Sequence, residues 1–212
     1  MGAGPGGADV TGDGRGGDHP RERGADVLAA IRSRRVVRAM TAEPVSREAL
    51  ETLLDAARWA PTAGNRHLQR FVATDDAAIL RVLRAVSPGM LQRPTAAITI
   101  CTDRVLAASY GFPPDAAGLS VDVGTAMATL LLAAHAIGIG AGPVTSFSRA
   151  AVAVVLSLPE GWVPEVVVCL GHPARGGPAP MPNRPGLTWR DLTTWVPPLE
   201  AGADAAGPSP RP

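Results

Sequence analysis

The stretch Val121–Ser148, VDVGTAMATLLLAAHAIGIGAGPVTSFS, carries no charged residue between Asp122 and Arg149. Its length permits a bilayer crossing, for which about 20 apolar residues suffice. Against that stand His135, the repeated Gly and Thr, Pro143 and the lack of a Lys/Arg cluster on either side. A helix apolar on every side is also what the centre of a core or a subunit interface requires. Gly138 predicts the end of the helix as a C′ residue. The GIGAG at 138–142 follows a helix, whereas a dinucleotide-binding glycine loop follows a strand and opens a helix. These glycines are therefore read as a cap and as points of close backbone approach.

Outward from this helix, apolar periodicity and breakers predict the remaining elements. Towards the N-terminus they are a helix over Ala25–Arg34, an extended piece at Val36–Met40 and a helix capped by Ser46 and ended by Pro61. A strand at Arg70–Ala73, a helix over Asp75–Val86, a buried strand at Ala96–Cys101 and a loop or lid at Asp103–Gly118 follow. Towards the C-terminus come a helix at Ser148–Leu156, a strand at Val166–Leu170 and a weak helix at Thr188–Val196. Helices and short all-apolar strands alternate, which predicts an α/β or α+β sandwich with its sheet covered on both faces.

Composition narrows the class. The chain has 212 residues, 46% of them apolar and 18% charged, with a net charge of +1, enough for one domain with a real core. With 3 Phe, 4 Trp and 1 Tyr it lacks a stacking platform for single-stranded nucleic acid. Residues 1–22 and 199–212 are rich in Gly, Ala and Pro with little to bury, so both are expected to be disordered tails around a domain at 23–198. No apolar leader opens the chain, and Cys101 and Cys169 sit in apolar strand-like runs as reduced core thiols, so a cytoplasmic location is the default.

All 20 basic residues are Arg, and four of them lie within Arg32–Arg38, RSRRVVR. In an extended backbone Arg34, Val36 and Arg38 share one face and Arg35 takes the other. The cluster reads either as a solvated basic patch or as a phosphate clamp, because guanidinium forks match phosphate oxygens bidentately. No second basic run supports a nucleic-acid surface. The four His are scattered, and neither metal-ligand spacing nor a nucleophile motif occurs. His135 reads as a hydrogen-bonded packing residue. Chemistry, if present, would be borrowed from an organic cofactor.

The string SRRVVRAMTAEPVSREALETLLDAARWAPTAGNRHLQRFVATDD resembles the opening of the FMN-dependent nitroreductases. The later DVGTAMATLLLAAHAIGIGAGPVTSF and LSLPEGWVPEVVVCLGHP resemble their long interface helix, glycine-rich turn and closing strand. The match spans roughly residues 25–196, with both blocks in the family's order. It implies an α+β three-layer sandwich with a central mixed sheet, assembled as an intertwined homodimer with FMN at the interface. Arg34 and Arg35 would hold the FMN phosphate, Arg38 the pyrimidine edge and Asn65 the isoalloxazine edge. Pro143, Val144, Thr145 and Ser146 would lie along the ring, and Arg184 would supply a second phosphate contact. NAD(P)H would deliver a hydride to flavin N5 for a nitroaromatic, quinone or other small electron-poor acceptor, with no side chain serving as acid, base or nucleophile. A biosynthetic dehydrogenase returning electrons to oxygen, or a non-catalytic flavin-binding module, are the alternatives. The chain departs from the family at Val36, where a Ser is usual, and at His67 and Gln69, where Gln and Trp are usual.

Overall fold

A computed structural model describes residues 20–176 and 187–196. Most of the expected tails, and Arg184, lie outside the described residues. The chain divides into two compact units, Met1–Pro178 and Ala179–Pro212.

Among the described residues of the first unit six α-helices and four strands follow one another: α1 (Pro20–Ser33), α2 (Arg47–Ala57), β1 (Gln69–Thr74), α3 (Ala77–Ala85), β2 (Ala96–Asp103), α4 (Arg104–Ser109), α5 (Ala117–Ala136), β3 (Gly140–Val144), α6 (Arg149–Val155) and β4 (Trp162–Gly171). Side-chain caps open three of the expected helices. Ser46 accepts from Ala49 N–H, Asp76 from Ala78 and Ile79, and Ser148 from Ala151. Gly138, at φ +76°, closes α5 as expected. α1 starts five residues before its predicted position.

The sheet order is β1-β2-β4-β3, and each of its three pairings is antiparallel. A mixed sheet was the expectation. The crossover through α5 does join two strands of the same direction, β2 and β3, but β4 inserts between them and leaves no parallel pair in contact among the described residues.

Alternation along the central strands separates two apolar layers. Ile98, Ile100, Val166, Val168 and Leu170 face α2 and α5, meeting Leu50, Leu53, Ala126, Leu130 and Ala134. Ala97, Val167 and Cys169 face the other way, onto Leu80 and Leu83 of α3 and Val152 of α6. The result is the three-layer α+β sandwich. Although α5 has the length and apolarity of a membrane span, in this fold it is the helix against which all four strands pack.

The predicted loop at 103–118 contains α4. Asp103 caps it by accepting from Leu106 N–H, and Gly111 at φ +78° follows its end. The segment is also pinned: Arg104 donates to Glu165 at 2.7 Å and to the Pro114 carbonyl. In the second unit the weak helix reduces to a 3-10 turn, Trp189–Leu192, whose Asp191 carboxylate accepts from Thr188 N–H and Oγ1–H.

Both cysteines are buried, and burial pushes each thiol from 9.0 up to about 12, with Glu165 adding to the effect at Cys101. At pH 8 the folded protein is expected to react with iodoacetamide about a thousandfold more slowly than the denatured chain. Because the folded state keeps these protons to higher pH than the unfolded state, the thiols make stability fall as pH rises from about 9 towards 12. Thiol counting with and without guanidinium checks the first effect; a Cys101→Ala and Cys169→Ala pair with a flatter alkaline melting profile checks the second.

Candidate functional site

The arginine segment is tied to the far end of the sheet. Val37 N–H donates to Ala141 O at 3.0 Å, Thr41 N–H to His172 O at 2.8 Å and Ala174 N–H to Ala39 O at 3.0 Å. These bonds hold residues 37–41 beside the edge of β3 and the end of β4. The glycines of β3 permit the approach. A Cβ on Gly140 would lie 2.8 Å from Val37 Cγ1, and one on Gly142 would lie 2.9 Å from Val37 O and collide with the Gln92 amide. Two sequence blocks about a hundred residues apart, Arg34–Arg38 and Pro143–Ser146, are thus brought to one edge.

Extended backbone separates neighbouring arginines. The Arg35 guanidinium turns back on its own chain, donating to Arg32 O at 2.6 Å and Arg34 O at 2.9 Å. It lines a cavity of about 220 Å³ with Val37, Leu131 and His135. Arg34 is half-buried like Arg35 but differs in that its Nη1 is fully enclosed with no acceptor among the described residues. A buried guanidinium nitrogen without an acceptor is costly, and an anion is one acceptor that would satisfy it. Arg38 is exposed. His135 reaches the surface, where its Nε2 hydrogen-bonds Ser33 Oγ at 2.8 Å.

Asn65 lies in a different place. Its loop, residues 61–67, turns through left-handed conformations at Gly64, Asn65 and His67 (φ +57°, +54° and +51°). The loop is anchored to the N-terminal half of α5, where the buried Asp122 accepts from Ala63 N–H at 2.9 Å and Thr125 Oγ1–H donates to Pro61 O at 3.0 Å. Asn65 Oδ1 pairs with His67 Nε2 at 2.9 Å. Asp122 and His135 are thirteen residues apart on α5, about 20 Å at 1.5 Å per residue. One chain therefore does not bring Asn65 to the arginine segment.

Two residues of this region escaped the sequence reading. Asp122 had a usable signal, since an acid inside an apolar helix must find a donor when buried. Gln92 had none. It is buried against Gly142 with its Oε1 unpartnered among the described residues, beside the backbone that carries Arg38.

The sequence model of the nitroreductase family matches residues 31–172, the span that holds both halves of this arrangement. The chain belongs to the nitroreductase family. This membership puts it among oxidoreductases. A protein of Methanothermobacter thermautotrophicus, provisionally named NADH dehydrogenase/NAD(P)H nitroreductase, is 32% identical over 155 residues, covering 70% of this chain and 78% of the relative. The 5,6-dimethylbenzimidazole synthase of Rhodospirillum rubrum is 29% identical over 185 residues, covering 74% and 87%. A nitroreductase from Desulfovibrio desulfuricans, solved in complex with FMN, superposes with a TM-score of 0.67 at 29% identity, covering 81% of this chain and 96% of that one.

Proposed function

We propose that this nitroreductase-family chain binds FMN between two copies of itself and passes a hydride from NAD(P)H to a small electron-poor acceptor. The observation that carries the reading is the enclosed, acceptor-less Nη1 of Arg34, three residues before the Val37 bond to Ala141 of β3. A phosphate fits this donor. The unpartnered Gln92 Oε1 needs an N–H, and the pyrimidine edge of a flavin carries one. Arg38 then serves the same edge, Pro143–Ser146 flank the ring, and Arg184 adds a phosphate contact. Bound there, FMN supplies a centre that accepts a hydride at N5 and gives it up again.

The chain's own residues hold and orient. Arg34 neutralises phosphate charge, the backbone from Arg34 to Arg38 sets the position of the cofactor along β3, and Arg38 favours negative charge on the pyrimidine edge. None has to move a proton. The distance of about 20 Å along α5 between the Asn65 loop and the arginine segment supports the homodimer. A second copy with its α5 antiparallel to the first sets the loop of one protomer beside the arginine segment of its partner.

Anaerobic addition of NADPH or NADH to the purified protein is expected to bleach the two flavin absorption bands, and a nitroaromatic or quinone to restore them. Colourless protein that takes up no added FMN would overturn the cofactor assignment. The likeness to the dimethylbenzimidazole synthase supports a second reading, a biosynthetic flavin enzyme that uses oxygen. Flavin that stays oxidised with both nucleotides, yet consumes oxygen with a dehydrogenation substrate, would favour it.

A further inference from the structure

A cavity of about 370 Å³ lies between α3 and the irregular segments 42–44 and 93–95. Its α3 wall is a single helical stripe: Ala77, Leu80, Arg81 and Arg84 stand at i, i+3, i+4 and i+7. Arg93 and Pro94 form the facing wall. Leu80 is buried and supplies an apolar floor. Three arginines, all exposed, thus line a largely apolar cleft that holds one carboxylate, Asp75. None of the three forms an ion pair among the described residues.

We infer that this cleft is a second ligand site, independent of the flavin, and that it takes a small organic anion: a carboxylate or phosphate monoester on an apolar body. The chemistry follows from the two parts of the lining. Cations on both walls recognise the anionic head by charge-assisted hydrogen bonds, and Arg81 and Arg84, one turn apart, can share one head between them. The Leu80, Pro44 and Pro94 side chains have no polar atom to offer, so a bare inorganic ion leaves them wet, whereas an alkyl or aryl body covers them. The volume lies at the lower end of ordinary ligand cavities, which favours a molecule of modest size over a polypeptide segment.

Calorimetry of the full-length protein with octanoate and with octyl phosphate tests this directly. One saturable site per chain is expected for at least one of them, and whichever binds tighter identifies the head group as carboxylate or phosphate ester. Octanol and inorganic phosphate, each lacking one half of the recognition, are expected to bind at least about tenfold more weakly. Arg81→Gln with Arg84→Gln should weaken the anion by about tenfold or more, and Ala77→Phe should weaken it by filling the cleft while leaving every arginine in place. Arg34→Ala should leave the titration unchanged, since Arg34 does not line the cleft. Absence of saturable heat for both anions would overturn the site. So would unaltered binding in both cleft variants, loss in Arg34→Ala, octanol binding as well as octanoate, inorganic phosphate matching octyl phosphate, or a hexaglutamate peptide binding tighter than either anion. Flavin absorbance of the same samples reports separately on the FMN reading.

Discussion

Arg34→Ala is expected to purify with little or no flavin and yet to be no less stable than the wild-type apoprotein. The two halves of this result have one cause. In the free protein Nη1 of Arg34 is enclosed without an acceptor among the described residues, and an unsatisfied buried donor costs about 1–3 kcal/mol. Removing the guanidinium removes that cost, so the melting temperature of the apoprotein should hold or rise. Binding moves the other way. A hydrogen bond to a charged group contributes about 1.5–3 kcal/mol, and 1.4 kcal/mol is tenfold, so each lost phosphate contact should weaken FMN by roughly 10- to 150-fold. Flavin fluorescence titration gives the affinity, and circular dichroism melts of flavin-free samples give the stability. Arg35→Ala makes the decisive comparison. Its guanidinium already bonds Arg32 O and Arg34 O, so FMN should change by no more than about threefold. Equal losses in the two variants would mean that the pair acts as one clamp, as the sequence resemblance implies. No loss in Arg34→Ala would sink the phosphate assignment.

Which parts of this molecule a reader of the sequence could see depends on how local their causes are. The Ser46, Asp76 and Ser148 caps act within three residues, and the three helices begin within two residues of their expected starts. α5 was legible because nothing in its composition interrupts it until Gly138, which then stops it. The period-2 separation of Arg34 from Arg35 was legible for the same reason. Strand pairing was not: Val166–Leu170 is equally apolar whether its neighbours run parallel or antiparallel, and only the insertion of β4 between β2 and β3 decides it. α4 was missed because a six-residue helix with one buried side chain, Ala107, shows no periodicity.

The site divides along the same line. Arg34, Arg38 and Pro143–Ser146 could be named from their own motifs. Gln92 could not, because its burial is created by Gly142, fifty residues on, and its unpartnered oxygen exists only once β3 and the 87–92 segment are packed. The distance of the Asn65 loop from the arginines is likewise a property of α5 as a ruler, set by the Asp122 anchor near one end and the Val37–Ala141 bond beyond the other. A motif list treats these residues as one site. The folded chain sets the Asn65 loop and the arginine segment at different ends of α5.

Ala128→Glu, which changes no residue assigned to the flavin, is expected to abolish flavin binding by separating the two copies. Ala128 lies midway along α5 on the side turned from the sheet, exposed together with Val121 and flanked by the half-exposed Gly124 and Leu132. Small and apolar residues there suit close contact with a second helix, and water alone gives no reason for such a face on a helix this apolar. In a two-fold pairing of antiparallel helices the midpoint meets its own copy, so one substitution buries two carboxylates without partners. Each unpaired buried charge carries a penalty of several kcal/mol, enough to dissociate an ordinary dimer. Light scattering should report twice 21.7 kDa for the wild type and 21.7 kDa for the variant. The helix itself should persist, because Leu119, Val123, Ala126, Leu130 and Ala134 still bury the opposite side, and far-ultraviolet dichroism checks that it does. Val154→Glu on α6, at a residue 79% exposed, serves as the control and should leave both mass and flavin unchanged. A folded Ala128→Glu monomer that keeps its full flavin content would show that a single chain completes the site, and the assignment of Asn65 to the partner's flavin would then fall.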